Sequence, residues 1–147
     1  MSVVTKRNVL QELVTRWQKR LYLSRYVIVW HWLAGDQDNA IGRAETNPNK
    51  YKVHLWFDDS EPWDVLRNAV IHELLHVWQS PLTLSVGDLS VSPYLPRPAY
   101  DTWHAGFLRA HECLTDEMSA MLGGVKAWED RDLEKKWAAI LRKAGGK

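Results

Sequence analysis

Val70-Ile71-His72-Glu73-Leu74-Leu75-His76-Val77-Trp78 is the stretch from which the rest of the chain is read. Its apolar residues are too dense for a solvated segment, and three polar side chains stand among them. The start of a helix is written upstream: Ser60 can cap it, Pro62 suits its first turn and Asp64 favours the positive end of the helix dipole. The spacing predicts a helix from about Ser60 to Gln79 that stops before Pro81. On such a helix His72 and His76 lie roughly 40° apart around the axis and one turn apart along it, so both imidazoles can reach one ion. Glu73 follows on the same side. Ala69, Val70, Ile71, Leu74, Leu75, Val77 and Trp78 make the helix apolar on most sides. Polar groups inside such a helix need partners, and a metal supplies them.

Working outward, residues 4–23 form an amphipathic pattern in which Leu10, Leu13, Val14, Trp17 and Leu21 recur at helical spacing. Tyr26–Leu33, Ala40–Glu45 and Tyr51–Phe57 read as strands, separated by the turn residues Gly35-Asp36-Gln37-Asp38-Asn39 and Thr46-Asn47-Pro48-Asn49-Lys50. They predict a short hairpin-like β region. Ser80–Tyr100, with Pro81, Pro93, Pro96 and Pro98, reads as a long loop, and a connection of that length in a compact domain points to function or mobility. Asp101 can cap a further helix ending at Gly123-Gly124. Residues 125–144 read as a last helix with Trp128, Leu133, Trp137, Ile140 and Leu141 on its apolar side. The expected fold class is α+β: an N-terminal helix, a small three-stranded sheet, the motif helix, a long Pro-rich loop and two C-terminal helices.

Bulk properties agree with that outline. A chain of 147 residues suits a single domain spanning 1–147. Its hydrophobic and charged fractions, 46% and 25%, are those of an ordinary globular chain. The net charge of +1 offers no electrostatic case for nucleic acid or an anionic membrane surface. No apolar run approaches the roughly 18 residues of a membrane span. The N-terminus lacks the pattern of a signal peptide, and Cys113 is the only cysteine. Together these lead us to expect a reducing interior, a cytoplasm of some kind. Most of the 9 Trp are expected to be core or half-buried packing residues.

Catalytic zinc sites take three protein ligands and keep a position for water, with neutral His nitrogen at roughly 2.0–2.1 Å. A third ligand should therefore lie elsewhere. His111-Glu112-Cys113-Leu114-Thr115-Asp116 sits on the next predicted helix, where Glu112 and Asp116 share a face. Glu112 can complete the site. Asp116 can accept a hydrogen bond from the far nitrogen of a ligand His, fixing its tautomer. His104 and His111 are rival third ligands. His104 lies two turns before Glu112, and His111 should point about 100° away from it. Cys113, inside an apolar-periodic helix, reads as an inert thiol.

The two motifs His72-Glu73-Leu74-Leu75-His76 and Glu112-Cys113-Leu114-Thr115-Asp116 resemble those of the gluzincin metallopeptidases. The Ile-His-Glu-Leu-Leu-His-Val core after a strand is also similar to short, often phage-encoded metallopeptidases. The resemblance covers roughly residues 26–122. It implies a minimal zincin-like domain and peptide hydrolysis. His72, His76 and Glu112 would be the zinc ligands, Glu73 the general base and acid, and Asp116 the residue behind a ligand. It further implies that the strand before the motif helix, Tyr51–Phe57, lines the cleft and pairs with extended substrate. Two departures stand out. The gap from His76 to Glu112 is long, and no motif marks the Tyr or His that stabilises an oxyanion; Tyr94, Tyr100, His104 and His111 are the candidates.

The chemistry expected is metal-assisted hydrolysis of a peptide or protein. Zinc acidifies water toward a pKa of ~7, and Glu73 takes the water's proton and later returns one to the leaving amine. The alternative is a non-catalytic binding or phage-assembly protein stabilised by zinc. A structural site usually closes its fourth position, often with Cys, whereas this chain has three candidate ligands, an adjacent Glu and no second Cys. A protease acting on DNA-bound proteins finds no basic stripe or zinc-ribbon cysteines to support it. Neither a nucleic acid nor a membrane is expected as a partner.

Overall fold

The computed structural model describes residues 4–33, 42–88 and 96–145. Helix α1 spans Lys6–Arg20, followed by strands β1 (Val27–Trp32), β2 (Gly42–Asn47) and β3 (Lys52–Phe57). Then come α2 (Trp63–Asp88), α3 (Arg97–Val125), a 3-10 turn over Ala127–Asp130, and α4 (Arg131–Gly145). The fold is α+β, with four helices and one small mixed sheet.

Helix α1 begins where the Thr5 side chain accepts the Asn8 N–H. It ends in a Schellman arrangement built without glycine. Tyr22, at φ 57°, donates to the Lys19 carbonyl, and Leu23 donates to that of Gln18. Val9, Leu10, Leu13, Val14 and Trp17 form its buried face.

The sheet order is β1-β3-β2. β3 is central, parallel to β1 (Val27 opposite Lys52) and antiparallel to β2 (Gly42 opposite Phe57). The hairpin thus joins β2 to β3 alone, and β1 reaches the far edge. Alternation decides the faces: Val53, Leu55 and Phe57 are fully buried, while His54 and Trp56 stand on the opposite face and are only half-buried. The Gly35–Asn39 turn lies outside the described residues, as do Ala40 and Ile41 of the expected second strand.

Helix α2 runs through the middle of the domain. Leu66, Val70, Ile71, Leu74, Leu75 and Val77 are buried against α1, β3 and α4, which is why its apolar residues occupy most of the circumference. Trp78, Leu82 and Leu84 are exceptions, Trp78 at 53% exposed. Ser60 does not cap the helix; its N–H and hydroxyl donate to the Asp58 carboxylate, and the first helical carbonyl is that of Pro62, which accepts from Leu66.

The C-terminal end of α2 differs from expectation. The helix does not stop before Pro81 but continues to Asp88. An internal proline removes one ladder hydrogen bond and typically costs about 3 kcal/mol. Offsetting contacts lie around it: α2 packs along α3, Val86 is buried, and the hydroxyls of Thr83 and Ser85 donate to the carbonyls of Ser80 and Pro81. Helix α3 likewise starts at Arg97 rather than being capped by Asp101, because Pro98 sits in its first turn where no N–H is needed. Asp101 instead pairs with Arg97 at 2.9 Å. Of the expected Ser80–Tyr100 loop, residues 80–88 and 97–100 are therefore helical, and residues 89–95 lie outside the described residues.

At the C-terminus, Trp128 belongs to the 3-10 turn and is exposed, whereas Leu133 and Trp137 of α4 are buried. Asp130, 1% exposed, ties this turn to the core. It accepts from Trp17 Nε1 at 3.0 Å, Arg67 Nε at 2.8 Å and Arg20 at 3.0 Å. No helix among the described residues is long and apolar enough to cross a membrane.

Candidate metal centre

His72 and His76 project from the middle of α2, held by a helix whose other faces are buried. Glu112 and Asp116 project from α3, which packs antiparallel-like along it through a polar contact of its own: Thr115 donates to the Gln79 side chain at 3.0 Å. That bond sits one turn beyond His76 and between the two carboxylates, so it sets how far α3 lies from the histidines.

One ligand atom each from His72, His76 and Glu112 lie within 4.8 Å of one another. The two Nε2 atoms are 2.9 Å apart. Glu112 Oε2 is 3.5 Å from His72 Nε2, and Oε1 is 3.3 Å from His76 Nε2. Ligands at roughly 2.0–2.1 Å in tetrahedral geometry are separated by about 3.3 Å, and these separations, one through each Glu112 oxygen, lie near that spacing.

Tautomers support the same fit. Asp116 Oδ1 stands 3.0 Å from His72 Nδ1. A carboxylate there favours the proton on Nδ1 and leaves the Nε2 lone pair facing the site. That lone pair points at another imidazole nitrogen and a carboxylate oxygen, a set of acceptors that a cation reconciles. Burial holds the His76 pKa below the ordinary imidazole value, opposed by the Glu112 charge, which favours the neutral ring that can donate a lone pair.

Glu73 lies against the site but outside the ligand group. It is 8% exposed, and burial, with a smaller contribution from the Glu112 charge, pushes its carboxyl up to about 7. Two cavities meet at His72 and Glu73. One, of about 510 Å³, extends toward the N-terminal end of α2 past Ala69, Asn68 and Asp64. The other, of about 580 Å³, runs past His76 toward Ser80 and Thr83, with Arg43 and Thr46 opposite.

Gly42 belongs to both cavities and was not singled out from the sequence. A Cβ there would lie 3.0 Å from Glu73 Cγ and 3.1 Å from its Oε1, so glycine is what allows β2 to approach the carboxylate. A lone glycine inside a strand pattern is the signal that could have found it.

The strand that borders the centre is β2, not Tyr51–Phe57. β3 is paired on both edges, so it has no free hydrogen-bonding groups for a further chain. β2 is an edge strand among the described residues, and Gly42, Arg43, Ala44 and Thr46 line the cavities.

The remaining candidates fall elsewhere. His111 is buried behind His76, their ring centroids 5.4 Å apart, and its Nε2 has no hydrogen-bond partner among the described residues. His104 stacks between Tyr100 and Phe107. Neither joins the ligand group, and among the described residues Tyr100, His104 and His111 line neither cavity. Tyr94 lies outside the described residues. Cys113 is exposed rather than inside the helix packing, because the buried stripe of α3 runs through His111, Thr115 and Ser119. No Trp lines either cavity at the centre. No family model, no curated protein and no solved structure matches this chain.

Proposed function

We propose that the protein is a zinc-dependent hydrolase of peptide bonds, built as a minimal zincin-like domain. The observation that carries this reading is the ligand triangle of His72, His76 and Glu112 with an unligated, buried Glu73 beside it. A site serving stability alone needs no such carboxylate, and burying one is costly.

His72, His76 and Glu112 would hold the ion, which supplies Lewis acidity to acidify water and polarise a carbonyl. Asp116 keeps the His72 ring oriented and its Nε2 unprotonated. Glu73 accepts a proton from water at its carboxylate and returns one to the leaving amine. The outer edge of β2, unpaired among the described residues, supports an extended peptide as substrate, since its outward N–H and C=O groups can pair with a further strand.

The test is digestion of a mixed peptide library with zinc-loaded wild type and Glu73→Gln, followed by mass spectrometry. Wild type should generate new termini, and the variant should bind zinc and generate none. Equal cleavage by both proteins contradicts the role given to Glu73.

A further inference from the structure

The two cavities flanking the centre differ in character. The one on the Arg43 side carries a cation at its wall. The one toward the N-terminal end of α2 has no Lys or Arg: its polar lining is Asp64, Asn68, His72, Glu73 and Asp116, and its apolar lining is Val65 and Ala69, with Gly42 contributing no side chain. Asp64, Asn68 and His72 recur every fourth residue on one face of α2, so they form a single wall leading away from the ligands. Glu73 is 8% exposed, lines both cavities, and has no hydrogen-bond partner among the described residues. The first turn of α2 contributes a partial positive charge at the cavity's far end, which the full charge of Asp64 outweighs.

An apolar floor under a carboxylate rim suits one kind of group: an aliphatic stem with a cationic head. From this we infer that the Asp64 cavity is the subsite for a lysine or arginine side chain of the substrate, its stem over Val65 and Ala69 and its charged end at Asp64. The inference rests on the peptidase reading. About 510 Å³ is ample for such a side chain, and Asp64, being exposed, can turn to meet it.

The experiment measures kcat/KM of the zinc-loaded protein on acetylated, amidated peptides. These differ only in carrying Lys, Arg, norleucine or Glu at one residue beside the cleaved bond. Lys and Arg peptides should exceed norleucine by about tenfold or more, and Asp64→Lys should invert the order in favour of Glu. Equal rates for Lys and norleucine, with cleavage still abolished by Glu73→Gln, overturn the subsite and leave the hydrolase reading standing. A preference that needs a free N-terminus instead of Lys identifies an α-ammonium as the occupant and overturns the side-chain assignment. A binding arm separates the two readings. Nα-acetyl-lysine methylamide titrated into the zinc-loaded protein should shift the Val65 and Ala69 amide resonances. The norleucine counterpart should not, and the shift should vanish in Asp64→Lys. Indifference to the lysine head overturns the inference whether or not any peptide is cut, whereas lysine-specific binding without cleavage of any peptide counts against the peptidase reading alone.

Discussion

Asp116 Oδ1 lies 3.0 Å from His72 Nδ1, while His72 Nε2 faces His76 and Glu112. One ring thus joins a carboxylate on α3 to the ligand triangle. Because Asp116 is exposed and contributes nothing to the core, its loss should be felt at the metal and not in the fold. Asp116→Ala should lower zinc affinity by about 10–100-fold, as removal of a partner behind a ligand typically does. Competition with a chromophoric chelator measures this, and an unchanged circular dichroism melt of the metal-free protein checks the fold.

Glu73 makes the metal-free protein pH-sensitive in a defined direction. Burial pushes its carboxyl up to about 7 in the folded chain from an ordinary value of 4.5. Between these values the folded state holds a proton that the unfolded state has lost, so stability falls as pH rises through this window. Fully ionised, the group costs roughly 3 kcal/mol. Glu73→Gln removes that cost. In EDTA, urea unfolding should find the variant about 2–3 kcal/mol more stable than wild type at pH 8 and equal to it near pH 4. A variant less stable at pH 8 contradicts the burial argument.

Gly42→Ala should act on Glu73 alone. The added Cβ meets Glu73 Cγ at 3.0 Å, so the carboxylate must turn away from its place between the cavities. Turnover of any peptide substrate should fall by about tenfold or more, while zinc stoichiometry, set by residues that Gly42 does not crowd, stays at the wild-type level.

Asp130 is a buried carboxylate shared by Trp17, Arg20 and Arg67. Asp130→Ala leaves the buried Arg67 guanidinium without its carboxylate and Trp17 Nε1 without an acceptor. The expected loss is about 3–5 kcal/mol in urea unfolding. Asp101→Ala, which removes the exposed pair with Arg97, should cost about 0.5 kcal/mol or less.

The helix bearing His72 and His76 was legible because its information is local: a four-residue spacing inside a 3.6-residue period. Glu112 and Asp116 were legible for the same reason, although their distance from the histidines depends on packing that no spacing encodes. Strand positions could be read from β-branched and aromatic residues, but strand order could not; the family resemblance puts the cleft at β3, whereas β2 holds the edge among the described residues. Pro81 misled because a local penalty was read as a helix end, when contacts with α3 outweigh it. The Asp130 cluster joins residues more than a hundred positions apart in sequence, and Gly42 matters only through a side chain on another element. Neither has a local signature strong enough to be singled out.

The most direct test of the proposed centre is the zinc content of the purified protein, measured by inductively coupled plasma mass spectrometry for wild type and for single alanine replacements of His72, His76, Glu112 and His104. The ligand triangle predicts one zinc per chain in wild type and His104→Ala, and its loss or steep reduction in the other three. Full zinc in Glu112→Ala together with loss in His104→Ala would contradict it.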